Sequence, residues 1–210
     1  MSIVERAKNI IFKPTDEWNV IAAEPATIGR LFTGYAAPLA LIPLVSTILF
    51  TGLLGISALD MMGLGSGMPT GLMAIASSAV VDFILSLVTL FVMVMIVKRV
   101  SPSFNGNSDK VQAMKLMTYA STPSWVVALV SWIPFLGAFL GLGAIVYVVY
   151  LIYLGLHPVL GVPKEKVASF TVVIVVIYAI LALVIAGFAA GLLFSTSIGN
   201  PMTGGTLSGA

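Results

Sequence analysis

The chain has 210 residues, of which 59% are hydrophobic and only 9% charged, with a mean hydropathy of +1.11. So little polar surface cannot cover a water-soluble globule of this size, which leaves an integral membrane protein. A formal net charge of +2 is too small to argue for nucleic acid as a partner, and the absence of cysteine excludes disulfides, thiolate nucleophiles and iron–sulfur sites. A helix needs about 20 apolar residues to cross about 30 Å of hydrocarbon, so the length allows roughly four to six crossings in one membrane domain. The ten methionines read as gap-filling side chains rather than a metal-binding set.

Residues 1–30 form an amphipathic, cytosolic segment that carries too many charges to be a secretory signal. Ile3, Val4, Ala7, Ile10 and Ile11 follow helical spacing, with Glu5, Arg6, Lys8 and Asn9 assigned to the other side, which predicts a short helix lying in the membrane interface. Pro14 ends it. Thr15 is placed to cap a second short helix holding Trp18 and Ile21, and tryptophan suits headgroup depth because its ring is apolar and its N–H is not.

The membrane domain is predicted over 31–194, with five spans at about 31–54, 71–97, 116–133, 138–156 and 167–194. Pro38 and Pro43 kink the first. A glycine-rich loop from Asp60 to Thr70 precedes the second, which Lys98 and Arg99 stop. No charge occurs from Leu116 to Leu156, too long a run for one crossing, and Ile133-Pro-Phe-Leu-Gly137 is the natural break between two antiparallel helices. His157-Pro158 is expected to end the fourth span, and the lone histidine there reads as a cap rather than a metal ligand. The Gly, Ser and Thr tail over 195–210 is expected to be disordered. The fold class is therefore all-α: a polytopic bundle of five transmembrane helices preceded by amphipathic interfacial helices.

Charge placement orients this bundle, because lysine and arginine accumulate in cytoplasmic loops. Arg6, Lys8, Lys13 and Arg30 precede the first span, Lys98, Arg99, Lys110 and Lys115 separate the second from the third, and Lys164 and Lys166 separate the fourth from the fifth. All ten fall on one side. The amino terminus is thus expected in the cytosol and the carboxyl terminus outside.

Asp82 is the ionisable residue expected well inside a span, where it costs roughly 2.5–3.5 kcal/mol on insertion scales. Ser78, Asp82, Ser86 and Thr89 are spaced by four, four and three and share one helix face. This stripe reads either as a proton or cation path or as a carboxyl hydrogen-bonding across a helix interface to Ser121, Thr122 or Ser124. In Tyr119-Ala-Ser-Thr-Pro-Ser-Trp125, Pro123 frees the Tyr119 carbonyl, and Ser121, Thr122 and Ser124 are available to compensate it, making a packing node or a vestibule. Gly137-Ala-Phe-Leu-Gly141 and Gly187-Phe-Ala-Ala-Gly191 are small-xxx-small patterns suited to close helix packing or to homodimerisation. Tyr147, Tyr150 and Tyr153 read as packing and interface anchors. No catalytic, metal-ligating or cofactor-binding constellation is present in the sequence.

Tyr119-Ala-Ser-Thr-Pro-Ser-Trp125 also resembles the Yip (Ypt-interacting protein) family in its short prokaryotic branch. The resemblance runs through Phe12-Lys-Pro-Thr-Asp-Glu-Trp18, Gly34-Tyr-Ala-Ala-Pro-Leu-Ala40, Phe104-Asn-Gly106, Tyr153-Leu-Gly-Leu-His-Pro158 and Val162-Pro-Lys-Glu-Lys166. It implies five membrane helices with a cytosolic amino terminus. Eukaryotic members act in vesicle trafficking and bind prenylated Rab-type GTPases; this chain has no counterpart of their long cytosolic amino-terminal region, so GTPase binding is not carried over to it. The expectation is a non-enzymatic protein of a prokaryotic inner membrane that organises or shapes the bilayer and binds another membrane protein or a second copy of itself. A small transporter or channel with a polar path around Asp82 is the alternative.

Overall fold

A computed structural model describes residues 1–55, 61 and 71–198, the side chains as far as residue 187. The predicted glycine-rich loop, the carboxyl end of the tail and the side chains of Phe188 to Gly191 lie outside the described residues. Those residues are helical, with no strand among them, and four helices are long and apolar enough to cross a membrane. They are α3 (Ile28–Leu53), α4 (Leu72–Val100), α7 (Leu136–Leu160) and α8 (Lys164–Ile198). Shorter helices are α1 (Ile3–Phe12), α2 (Pro14–Ala23), α5 (Lys110–Ala120) and α6 (Thr122–Val127). Residues 1–172 form one compact unit, and the remainder of α8 forms a second.

Local chemistry explains most boundaries. Ser2 caps α1 by accepting from the Glu5 N–H at 3.1 Å, and Pro14 opens α2 at the first helical position, where its missing N–H costs nothing. Thr15 therefore lies inside α2 rather than capping it. In α3 the chain ahead of Pro38 is a wide turn: Phe32–Ala36 is π-helical, with the Ala37 N–H reaching back five residues to the Phe32 carbonyl, and a second π-helical run, Thr47–Leu53, follows the turn that holds Pro43. α7 runs past Pro158 to Leu160 and ends at Gly161, whose φ of +68° makes the left-handed stop. The expected end at His157-Pro158 comes a turn too early because a proline in a last turn removes one bond without preventing closure. His157 Nδ1–H donates to the Val162 carbonyl at 2.8 Å and holds this terminus.

The third predicted span, 116–133, differs most. It is α5, a break at Ser121, α6 and a 3-10 turn over Ala128–Val130, so no single helix there is long enough to cross. Pro123 is the cause, since it cannot continue the hydrogen-bond ladder to Tyr119. Every residue of α5 from Ala113 to Ala120 is buried, which makes α5 the central element of the first unit. Around it pack α1, α2, α3, α4 and α7.

Two close approaches fix that packing. Trp18 of α2 is fully buried over Gly155 of α7, where a Cβ would come within 2.9 Å of its ring and 2.6 Å of Leu116 on α5. Gly137, at the head of α7, lies against the Ser131 backbone, so this half of the first small-xxx-small pattern serves contact within the chain, whereas a Cβ on Gly141 meets nothing within 4 Å. At the other end of α7, Asn107 N–H donates to the Leu160 carbonyl at 2.7 Å and Phe104 stacks on Phe170 at 4.6 Å. Gly155→Ala is expected to destabilise the protein by about 1–3 kcal/mol through overpacking. Gly141→Ala should leave the melting temperature in detergent unchanged; equal melting of both variants would contradict this packing.

Candidate functional site

The polar chemistry of the first unit concentrates where the α1–α2 hairpin meets α5. Arg6 is 5% exposed, and its guanidinium donates to Glu17 at 2.5 Å and to Glu24 through its second terminal nitrogen. It also lies over the Tyr119 ring, 5.6 Å from the centroid. The helical period explains the position: Ile3, Arg6, Ala7 and Ile10 share a stripe, so Arg6 faces inward with the apolar residues. This corrects its assignment to the polar side; Val4, assigned to the apolar side, is 77% exposed.

Lys115 completes the group. Its ammonium donates to the Glu24 carbonyl at 2.7 Å and the Ala22 carbonyl at 3.3 Å, satisfying groups that the end of α2 leaves without helical partners. Tyr147 does the same for α1, donating to the Ile11 carbonyl at 2.6 Å. Burial holds the Lys115 ammonium below the ordinary lysine range, with the Glu24 carboxylate opposing that shift. Deeper in, Tyr35 of α3 packs edge-on against Tyr119, with centroids 4.6 Å apart, and its hydroxyl shares a 2.9 Å hydrogen bond with Thr122. A cavity of about 200 Å3 opens beside this group and is lined by Arg6, Glu24, Arg30, Gly34, Lys115 and Tyr119 among others.

The predicted residues distribute unevenly. Tyr119 and Thr122 belong to this group, and Pro123 is buried in the first turn of α6. Ser121 donates to the Met117 carbonyl at 2.8 Å, not to the carbonyl that Pro123 frees, and Ser124 is exposed. On α4, Ser78 donates to Ile75, Ser86 to Phe83 and Thr89 to Leu85, all within the same helix at 2.7–2.9 Å. Asp82 stands on an exposed part of that helix, and no hydrogen bond joins the stripe to Ser121, Thr122 or Ser124. Arg6, Glu17, Glu24, Lys115 and Tyr35 were not singled out from the sequence. The signal was present in the spacing, since Arg6 falls on the apolar stripe of α1 and Glu17 stands beside Trp18 and one turn from Ile21 on that of α2.

A chain with four apolar helices of membrane-spanning length is a multi-pass membrane protein. Residues 8–187 match the Yip1 domain, and the chain belongs to that family. No curated protein and no solved structure matches it.

Removing Arg6 leaves the buried Glu17 carboxylate unpaired, Glu24 being half exposed, so Arg6→Met is expected to cost about 3–5 kcal/mol, with much of it regained when Glu17→Leu is added. Thermal melts of the single and double variants check this; a double variant no better than the single would refute it. For Lys115 the folded protein binds fewer protons than the unfolded chain between the lowered pKa and the ordinary value of 10.5. Stability therefore rises with pH across that interval, while below it the cost of burying the charge is present in full. The neutral amine keeps two N–H groups for the two carbonyls. The melting temperature, measured relative to Lys115→Met, should climb as the pH is raised from neutral; a flat difference would refute the shift.

Proposed function

We propose that this Yip1 domain protein is a non-enzymatic organiser of the bilayer, with α1 and α2 forming a fixed interfacial platform on the cytosolic leaflet of a prokaryotic inner membrane. The observation that carries this reading is the lock itself: Arg6, Glu17 and Glu24 fix α1 against α2 through an ion group, while Lys115 of α5 and Tyr147 of α7 hold that hairpin to the bundle through the backbone carbonyls of Ala22, Glu24 and Ile11. A loosely tethered surface helix has no use for such contacts. The platform presents Lys8 and Lys13 on its outer side, where cationic side chains favour an anionic leaflet.

We further propose five membrane-inserted segments, the third being the broken run over 116–133. At about 1.5 Å per residue a helical run of this length rises roughly 27 Å, close to the thickness of the hydrocarbon. With five crossings all ten lysines and arginines fall on one side, which supports a cytosolic amino terminus and an external carboxyl terminus. A second copy or another membrane protein is the proposed partner.

The absence of cysteine makes the topology directly testable. Asn107→Cys and Glu165→Cys should react with an impermeant maleimide only after the membrane is opened, and Phe135→Cys in intact cells; labelling of Asn107→Cys and Phe135→Cys from the same side would reject five crossings. In proteoliposomes the protein should carry no proton or solute flux, and Asp82→Asn should change only the melting temperature. Flux that Asp82→Asn abolishes without loss of stability would replace the organiser reading with a transporter.

A further inference from the structure

The cavity between the amino-terminal hairpin and the first turns of α3 has hydrogen-bond donors that the protein does not use. Lys115 has three N–H groups and spends two on the carbonyls of Ala22 and Glu24. Tyr119 lines the cavity, and its hydroxyl makes no hydrogen bond among the described residues. Arg30, in the first turn of α3, lines it as well and forms no ion pair among them. A Cβ on Gly34 meets nothing within 4 Å, so the space in front of these donors is open.

Charge points to the occupant. Glu17 and Glu24 outweigh Arg6 by one negative charge, both carboxylates being held by that guanidinium, while Lys115 and Arg30 contribute two positive charges. Counting side chains, the group is left with one net positive charge and an array of donors, and Met1 lines the cavity as well, which matches a singly charged phosphate ester: an acceptor-only group that both cations can bond. The volume of about 200 Å3 is below the ~300–1,000 Å3 of sites that enclose whole small molecules, and suits a headgroup whose remainder lies outside.

We propose that this cavity is a binding site for a phosphate monoanion, held by Lys115, Arg30 and the Tyr119 hydroxyl and carried either by a glycerophospholipid headgroup or by a soluble phosphate. The lipid source rests on the platform reading above, which puts the cavity at headgroup depth beside the start of the first membrane helix; the site itself needs only the geometry. Occupancy would tie the hairpin, α3 and α5 together through one anion.

The full chain, purified in uncharged detergent, is melted with short-chain phosphatidylglycerol, with diacylglycerol of the same chains and with inorganic phosphate, and bound lipid is counted by native mass spectrometry. Phosphatidylglycerol should raise the melting temperature and diacylglycerol should not. Arg30→Gln should weaken binding about five-fold or more, the effect of one cation at an anionic surface. Tyr119→Phe should weaken it several-fold while leaving the unliganded melting temperature unchanged, and Gly34→Leu should abolish it by filling the cavity with every charge kept.

A response to inorganic phosphate equal to that of the lipid supports the site and assigns it to a soluble phosphate; a response to the lipid alone supports the lipid. Equal stabilisation by diacylglycerol, or Arg30→Gln and Gly34→Leu both binding as the unmodified protein does, overturns the proposal. Because binding is read in detergent, labelling that rejected the cytosolic orientation would fail the platform reading and leave this result standing.

Discussion

The rest of the first unit depends on one guanidinium. Arg6 sits where water is scarce, and its charge is tolerable there only because Glu17 and Glu24 accept from it and the Tyr119 ring lies beneath it. A buried ion group of this kind is weak evidence for net stability, since desolvation offsets most of the Coulombic gain. It is strong evidence for register: any slip of α1 along α2, or of the hairpin along α5, would strand charges away from water. The hairpin is thus specified by what it would cost to move it. Lys115 adds the same constraint from the other side by serving carbonyls that no other donor reaches among the described residues.

Around that group the recognisable stretches of the sequence come together in space. Trp18 closes over Gly155, and Leu116 meets the same glycine from α5. Tyr35 packs on Tyr119 and bonds Thr122. Phe104 stacks on Phe170, and Asn107 bonds the carbonyl of Leu160 beside the Gly161 turn. Stretches more than a hundred residues apart in sequence therefore meet on the central helix α5. Membrane helices gain little from the hydrophobic effect against one another, because lipid tails are equally apolar. Specific aromatic, glycine and hydroxyl contacts must then supply the selectivity, those at the hairpin and those where Phe50 stacks on Trp132 and Ser46 bonds the Ala128 carbonyl.

Much of this fold was legible because long apolar runs admit only one secondary structure in a membrane. The helices α3, α4, α7 and α8, the break before Leu136 and the two short amino-terminal helices all follow from composition, proline and glycine. The candidate site was less legible. Counting Arg6 as a surface charge by residue type overlooked its place in the Ile3, Ala7 and Ile10 stripe, and Lys115 was read for the side it marks rather than for the carbonyls it could serve. Partners in a tertiary ion group are set by how helices cross, which no local period encodes. The break at Ser121 was foreseen from Pro123, but not the choice of the Ser121 hydroxyl for the Met117 carbonyl, which is the nearer acceptor on its own helix.

The two polar sets of the protein differ in a way that bears on function. Along α4 each hydroxyl is satisfied by the carbonyl three or four residues back, a local bond that makes Ser78, Ser86 and Thr89 compatible with lipid and asks nothing of a neighbouring helix. A proton or ion path needs the opposite, donors and acceptors handed from one segment to the next. That connectivity occurs instead at the hairpin, where Arg6, Glu17, Glu24, Lys115, Tyr35, Tyr119 and Thr122 link four segments through side chains and helix ends. Among the described residues the inter-segment polar side-chain contacts gather at the hairpin, with the Ser46 hydroxyl donating to the Ala128 carbonyl as a separate one further along α3. Asp82 has no side-chain hydrogen bond or ion pair among the described residues, and such a residue becomes a conduction element only if something outside that hydroxyl stripe completes it.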